Sequence, residues 1–268
     1  MFNVECWMLK VPDKFNPERK SGVRIRADLF LVEKGFCETR EKARRLIIAG
    51  KVRSGPDRLV AKPSETISPD TEIILDEAEK FVGRGALKLL SVLEKHLNDF
   101  SGLTALDLGA STGGFTDLML QKGASKVYAV DSGTSQLHDK LRNDIRVVSS
   151  ENTNARYLGE NFLPEKVDVV TMDLSFISAT KVLPSADKFL KLGGIAFILV
   201  KPQFEAERKD VGKGGVVKDE NVIQRCISKV ADFAENKLGW GKIDIMPSTL
   251  KGPKGNQEYF IVFRKVQH

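Results

Sequence analysis

The stretch Ala105-Leu106-Asp107-Leu108-Gly109-Ala110-Ser111-Thr112-Gly113-Gly114-Phe115-Thr116-Asp117 decides the fold. The apolar run over residues 103–108 reads as a strand buried on both faces of a parallel sheet. Asp107 stands at its carboxyl end. Gly109, Gly113 and Gly114 then predict a tight turn in which a Cβ atom would obstruct a ligand. Residues 115–122 open a helix. Strand, glycine-rich turn and helix make a nucleotide-binding corner. The spacing is Asp-x-Gly-x-x-x-Gly-Gly, so the dinucleotide fingerprint Gly-x-Gly-x-x-Gly fails. The next strand, residues 126–131, ends in Asp131, where such folds hold a ribose hydroxyl pair.

Strands and helices alternate after this corner. Strands are expected at 146–149, 167–173 and 194–201, a helix at 181–190, a Lys- and Gly-rich loop at 202–217, and a helix at 221–238. Strands at 242–246 and 258–264 close the chain as an antiparallel edge pair. Before the corner, residues 86–97 predict a helix with an apolar stripe of Leu87, Leu90, Leu93 and Leu97, and Lys88 falls off that stripe. Alternation of this kind means a parallel sheet with helices on both faces.

The N-terminal part differs. Residues 26–35 and 40–49 predict two short helices stopped by Gly35 and Gly50, the second capped by Thr39. Short strands follow at 51–53, 60–64 and 71–75. Arg40, Lys42, Arg44 and Arg45 decorate the second helix, with Arg24, Arg26, Lys51 and Arg53 nearby in sequence. Clustered cations on one helix suit sequence-independent phosphate contacts. Residues 1–23 match no regular element, and 76–82 read as a polar linker.

Composition narrows the classes. At 268 residues, 41% of them hydrophobic, the chain suits a large domain with a small companion. The formal net charge of +6 favours an anionic partner. Cys6, Cys37 and Cys226 are odd in number and far apart, which fits a reducing compartment without a disulfide framework. The three histidines are scattered, and no metal site is expected. No targeting pattern opens the chain, and no apolar stretch approaches the ~20 residues that span a bilayer. A cytoplasmic protein is expected.

Asp173 closes one parallel strand, Lys201 closes the next, and Glu258 opens the last. Ligands bind at the carboxyl ends of parallel strands. A final antiparallel strand offers its amino end to the same edge. Asp173, Lys201 and Glu258 therefore converge, and Lys88 can arrive from the preceding helix.

The order Lys88–Asp173–Lys201–Glu258 resembles the tetrad of FtsJ-like ribose 2′-O-methyltransferases, and the corner resembles motif I of S-adenosylmethionine methyltransferases. Arg26-x-Asp28-x-x-Leu31 with Thr39-Arg40-x-x-Ala43-x-x-Leu46-Ile47 resembles the S4 RNA-binding domain. The two together resemble the TlyA (haemolysin A) family. The matching segments include Gly83-Arg84-Gly85-Ala86-Leu87-Lys88, Gln136-Leu137-His138, Asn152-Thr153-Asn154 and Lys201-Pro202-Gln203-Phe204-Glu205. Gly83 departs from the serine usual in that family.

The resemblance implies an α/β, Rossmann-like methyltransferase sheet, mostly parallel with an antiparallel last strand, at 83–268. It implies a small α+β S4-like RNA-binding domain at 24–75. S-adenosylmethionine is the implied cofactor, ribosomal RNA or ribosomal subunits the implied partner, and cytidine 2′-O-methylation the implied reaction, by a monomer. Donor contacts are expected from Asp107, Gly109, Ser111, Gly113, Gly114 and Phe115, and from Asp131, Asn154 and Asp173. Lys201 is the expected base, oriented by Asp173 and Glu258, with Lys88 positioning substrate. Base-directed methylation is disfavoured, because Asp173-Leu174-Ser175-Phe176 offers neither an Asp-Pro-Pro-Tyr signature nor a nearby cysteine. A non-catalytic ribosome-assembly factor and a membrane-lytic protein are the competing readings.

Overall fold

The computed structural model describes residues 24–55, 58–75 and 81–266. The expected extension (1–23), most of the expected linker (76–80) and Cys6 lie outside these. The chain divides into two compact units, residues 1–80 and 81–268.

The first unit runs β1 (Ile25–Arg26), α1 (Ala27–Glu33), α2 (Arg40–Ile48), β2 (Val52–Ser54), β3 (Thr66–Ile67) and β4 (Ile73–Leu75). Thr39 caps α2, its hydroxyl oxygen accepting from the Lys42 amide at 3.2 Å. Phe30, Leu31, Ala43 and Ile47 of the helices pack against Val52, Val60, Ile67 and Ile73. Two antiparallel pairs form, β1 with β3 and β2 with β4. The strand expected at 60–64 does not form. Val60 keeps one bond to the Val52 carbonyl, but Pro63 has no amide to donate and the chain turns there.

The second unit contains α3 (Gly85–His96), β5 (Thr104–Leu108), α4 (Gly114–Gln121), β6 (Lys126–Val130), α5 (Asp139–Arg142), β7 (Val147–Ser150) and β8 (Val167–Met172). It continues through α6 (Leu183–Phe189), β9 (Leu190–Val200), α7 (Pro202–Glu205), α8 (Glu220–Leu238), β10 (Trp240–Pro247) and β11 (Tyr259–Lys265). The region expected as plain loop after Lys201 thus holds α7 and a 3₁₀ turn, Arg208–Asp210.

One seven-stranded sheet has the order β10-β11-β9-β8-β5-β6-β7. The pairs from β9 to β7 are parallel, and β11 runs antiparallel to both β9 and β10. Strands are added to one side of β5 by β6 and β7, and to the other by β8 and β9. The reversal lies between β5 and β8, where open α/β sheets bind ligands beyond the strand ends.

Strand alternation builds two cores. Leu106, Leu108, Val170 and Met172 face α6 and α8, while Ala105, Val127 and Val169 face α3 and α4. The face of α3 keeps three of the four expected leucines: Leu93 is buried, and Leu90 and Leu97 pack partly buried against the core. Ala86, Leu89, Val92 and Leu93 are its buried positions, and Leu87 is 45% exposed. The small residues Ala86 and Gly114 let α3 approach α4 closely, for a Cβ on Gly114 would stand 3.0 Å from the Ala86 nitrogen. Lys88 stands beside the buried stripe, and its head reaches the sheet edge at Glu258. Among the described residues, no helix is long and apolar enough to cross a membrane.

Candidate active site

The topology brings all four polar residues to one edge. Lys88 projects from α3, Asp173 follows β8, Lys201 follows β9, and Glu258 precedes β11. The register Tyr259↔Val200 places the start of β11 beside the end of β9. Lys88 Nζ donates to Glu258 Oε2 at 2.6 Å and lies 3.9 Å from Asp173 Oδ2. Lys201 Nζ stands 2.5 Å from Asp173 Oδ1 and donates to Ser175 Oγ at 3.1 Å. Glu258 is fully buried.

The pairing corrects one expectation. Glu258 does not orient Lys201; its carboxylate turns to Lys88. Asp173 is the group shared by both lysines, and Ser175 is the second partner of Lys201. Ser175 carries no sequence signal beyond sitting two residues past Asp173. Glu258 Oε1 is buried without a hydrogen-bond partner, pressed beside Gly252.

Two cavities flank this cluster; of its four residues Lys88 and Asp173 line them, while Lys201 and Glu258 stand behind Asp173 and Lys88 and line neither. One, about 570 Å³, is lined by Asp131, Gly133, Gln136, Asn154 and the segment Asp173–Ile177. The other, about 420 Å³, is lined by Arg84, Lys88, Phe115, Lys251 and Gly252. Gly109, Ser111 and Asp173 border both. Volumes of this size suit small-molecule ligands. Asp131 organises the first cavity: its carboxylate accepts from the Ser111 amide at 2.8 Å and the Gly133 amide at 2.7 Å. Asn154 lines the same cavity while its side-chain oxygen caps the turn at Arg156.

Two donor-contact expectations need correction. Asp107 lines neither cavity. Strand alternation points it at α4, where it accepts from Thr116 at 2.7 Å, and it faces Thr171 across the ladder, accepting at 2.9 Å. It ties the corner together from inside. Gly113 also stays away from both cavities; a Cβ there would meet Leu137 and Leu141. Its backbone is left-handed, with φ 95°. Gly109 does border the cavities, but a Cβ on it would strike the Asp173 carbonyl. Gly109 and Gly113 are thus required by the chain's own close packing. At the departing position Gly83, a Cβ would come 2.7 Å from the Thr112 hydroxyl, so a serine there would require Thr112 to rotate.

Burial pushes the Asp107 carboxyl from 3.8 up to about 6, against the pull of its two threonine hydroxyls. The native state therefore binds this proton more tightly than the unfolded chain. Stability falls as pH rises between about 4 and 6 and stays reduced above. Asp107→Asn keeps an acceptor without the charge. At pH 7.5 it is expected to raise stability by up to roughly 3 kcal/mol, the gain vanishing below pH ~4. Thermal unfolding at both pH values checks this, and an equal or lower Tm at pH 7.5 contradicts it.

In the first unit the expected RNA-contact residues separate into two groups. Asp28 is fully buried and accepts from Arg26 at 3.0 Å and Arg40 at 2.9 Å. The guanidinium of Arg26, then that of Arg40, holds its carboxyl below the usual range. Arg26 and Arg40 thus have a structural task. Arg24 donates to the Thr66 carbonyl, Lys42 pairs loosely with Glu38 at 3.6 Å, and Lys51 and Arg53 are partly buried. Arg44 and Arg45 are exposed on α2.

Comparison with known proteins matches these observations. The FtsJ-like methyltransferase family model covers residues 81–265, and the S4 domain model covers 25–73. A Mycobacterium tuberculosis protein named 16S/23S rRNA (cytidine-2′-O)-methyltransferase TlyA is 44% identical over 90% of each chain. Hemolysin A of Brachyspira hyodysenteriae is 38% identical over 89% of this chain and 99% of its own. A solved structure of a hemolysin-named protein from Streptococcus thermophilus superposes with a TM-score of 0.69 at 38% identity, covering 91% of this chain and 89% of that one. With its S4 domain and FtsJ-like domain in one chain, the protein belongs to the TlyA family of FtsJ-like methyltransferases.

Proposed function

We propose that this protein transfers a methyl group from S-adenosylmethionine to a ribose 2′-hydroxyl of ribosomal RNA, with cytidine as the target nucleoside. The observation that carries the reading is the Lys88–Asp173–Lys201–Glu258 cluster, set between two cavities that share Gly109, Ser111 and Asp173.

The residues fit a methyl donor. The first cavity lies at the strand-order reversal, and Asp131 retains acceptor capacity for a ribose beyond the two amides it holds. Asn154 and Gly133 complete that wall. When bound, S-adenosylmethionine supplies an electrophilic methyl on a sulfonium.

The chain supplies orientation and proton handling. A ribose hydroxyl is a weak nucleophile until its proton leaves. Lys201, as the free amine once its own proton has passed to solvent, is the group that takes it, with Asp173 and Ser175 holding the nitrogen in place. Lys88, fixed by Glu258, positions the hydroxyl in the second cavity. Alignment of the oxygen with the methyl supplies much of the remaining acceleration. Arg84 and Lys251 rim that cavity and are exposed. They suit phosphates flanking the target nucleotide.

Asp131→Ala removes a charged acceptor from two backbone amides as well as from the ribose. It is expected to weaken donor binding by about 10- to 100-fold, read by calorimetry. Unchanged affinity would remove Asp131 from the donor site. Arg44→Ala with Arg45→Ala is expected to weaken RNA binding and reduce the slope of log K against log salt by about two. An unaltered slope would show that this face carries no phosphate contact.

Incorporation of labelled methyl into ribosomal subunits tests the proposal itself. Transfer by the wild-type chain, lost when Lys201 is replaced, supports it. Donor binding without transfer to either subunit would leave an RNA-binding protein that does no chemistry.

A further inference from the structure

Two chain segments carry the groups that touch Lys201. One follows β8 and runs from Asp173 to Ala179; the other is Lys201 with α7. They meet at the active site through Lys201, Asp173 and Ser175. They meet again at the far end through Glu205. Its Oε1 accepts from the Ala179 amide at 2.6 Å, and its Oε2 accepts from the Ser178 hydroxyl at 2.5 Å. Lys229 of α8 donates to the same Oε2 at 3.1 Å and to the Glu205 carbonyl at 3.0 Å. Glu205 is 7% exposed, so these bonds replace water rather than compete with it.

Between the two cross-links the chain takes an unfavourable shape. Phe176 has φ 64°, a left-handed backbone that a bulky side chain seldom adopts. Such a conformation persists only where its surroundings over-determine it. Here the constraints are the Glu205 bonds two and three residues later, Ser175 against Lys201 one residue earlier, and the Phe176–Phe204 ring contact at 5.1 Å. The same segment, Leu174 to Ile177, forms a wall of the donor cavity.

We infer that Glu205 is a positioning residue for the methyl transfer: it clamps the Asp173–Ala179 segment onto α7 and so fixes Asp173 and Ser175 against Lys201. This rests on the functional reading above. Glu205 lies four residues beyond Lys201, at the opposite end of α7, and acts only through the segment it holds. Its function is geometric, and the amide of a glutamine can reproduce it. The glutamine oxygen accepts from Ala179, its NH₂ donates to the Ser178 oxygen, and Lys229, half exposed, gives up its side-chain bond and keeps the one to the residue 205 carbonyl.

The test compares Glu205→Ala, Glu205→Gln and Ser178→Ala in the full chain. Three quantities are read: donor affinity, single-turnover methyl transfer per donor-binding site, and Tm. Glu205→Ala is expected to lower the single-turnover rate by roughly 10²-fold through misplacement of Asp173 and Ser175. It should also weaken donor binding, because the cavity wall loosens. Glu205→Gln is expected to restore most of both. Ser178→Ala, which removes one bond without emptying a buried site, should give an intermediate loss and supplies the answer if Glu205→Ala does not fold. A structural role alone would lower Tm and the number of donor-binding sites, leaving the rate per site intact. That result overturns the inference, as does a Glu205→Gln variant as impaired as Glu205→Ala. Absence of transfer by the wild-type chain would instead overturn the functional reading.

Discussion

Lys201→Arg is expected to bind S-adenosylmethionine with wild-type affinity and to lower single-turnover methyl transfer by on the order of 10²- to 10⁴-fold. The reason lies in what the side chain contacts. Lys201 Nζ is flanked by Asp173 at 2.5 Å and Ser175 at 3.1 Å, and its side chain is only 10% exposed. Arginine keeps the charge and can still pair with Asp173, so the donor cavity retains its shared wall. A guanidinium does not release a proton near neutral pH and cannot accept the hydroxyl proton. Losing rate without losing donor affinity marks an interaction made in the transition state. A variant with near-normal turnover would leave Lys201 an electrostatic group and remove it as the base.

Lys88→Ala is expected to damage both fold and activity. Glu258 is fully buried, and Lys88 is the cation that compensates it at 2.6 Å. Removing one partner of a buried pair leaves an uncompensated charge, at a cost of ~3–5 kcal/mol. In a unit of this size that lowers Tm by about 10 °C. Methyl transfer should fall as well, because Lys88 also faces Asp173 and the second cavity. Adding Glu258→Gln to Lys88→Met should recover much of the Tm without recovering transfer. Thermal unfolding and single-turnover assays separate the two effects. An unchanged Tm in Lys88→Ala would contradict the pairing of Lys88 with Glu258 as a support of the fold.

Much of this was legible in the sequence because the signals were local. Apolar runs bounded by glycine gave the parallel strands, and strand ends gave Asp173, Lys201 and Glu258. What stayed hidden depends on which way a side chain turns. Nothing in the spacing distinguishes Lys88 from Lys201 as the partner of Glu258. On α3 the expected Leu90, Leu93 and Leu97 do meet the core, but Leu87 does not, and only close contact with α4 selects Ala86 and Leu89. Asp107 looked like a ligand group from its place at a strand end, but the two-residue alternation turns it inward. Arg26 and Arg40 looked like surface charge until Asp28 was seen buried between them. Glu205 closes a segment that carries the family resemblance, but neither its task nor that of Ser175 shows in the sequence, since both come from pairing segments 26 or 27 residues apart.

The position of the transferred methyl tests the central claim most directly. A methyl on the ribose 2′-oxygen blocks attack of that oxygen on the neighbouring phosphodiester, so the adjoining bond survives alkali. Ribosomal subunits labelled by the wild-type protein and digested in alkali should release the label in a dinucleotide whose first residue is 2′-O-methylcytidine. Label recovered in mononucleotides, on a methylated base, would contradict the account.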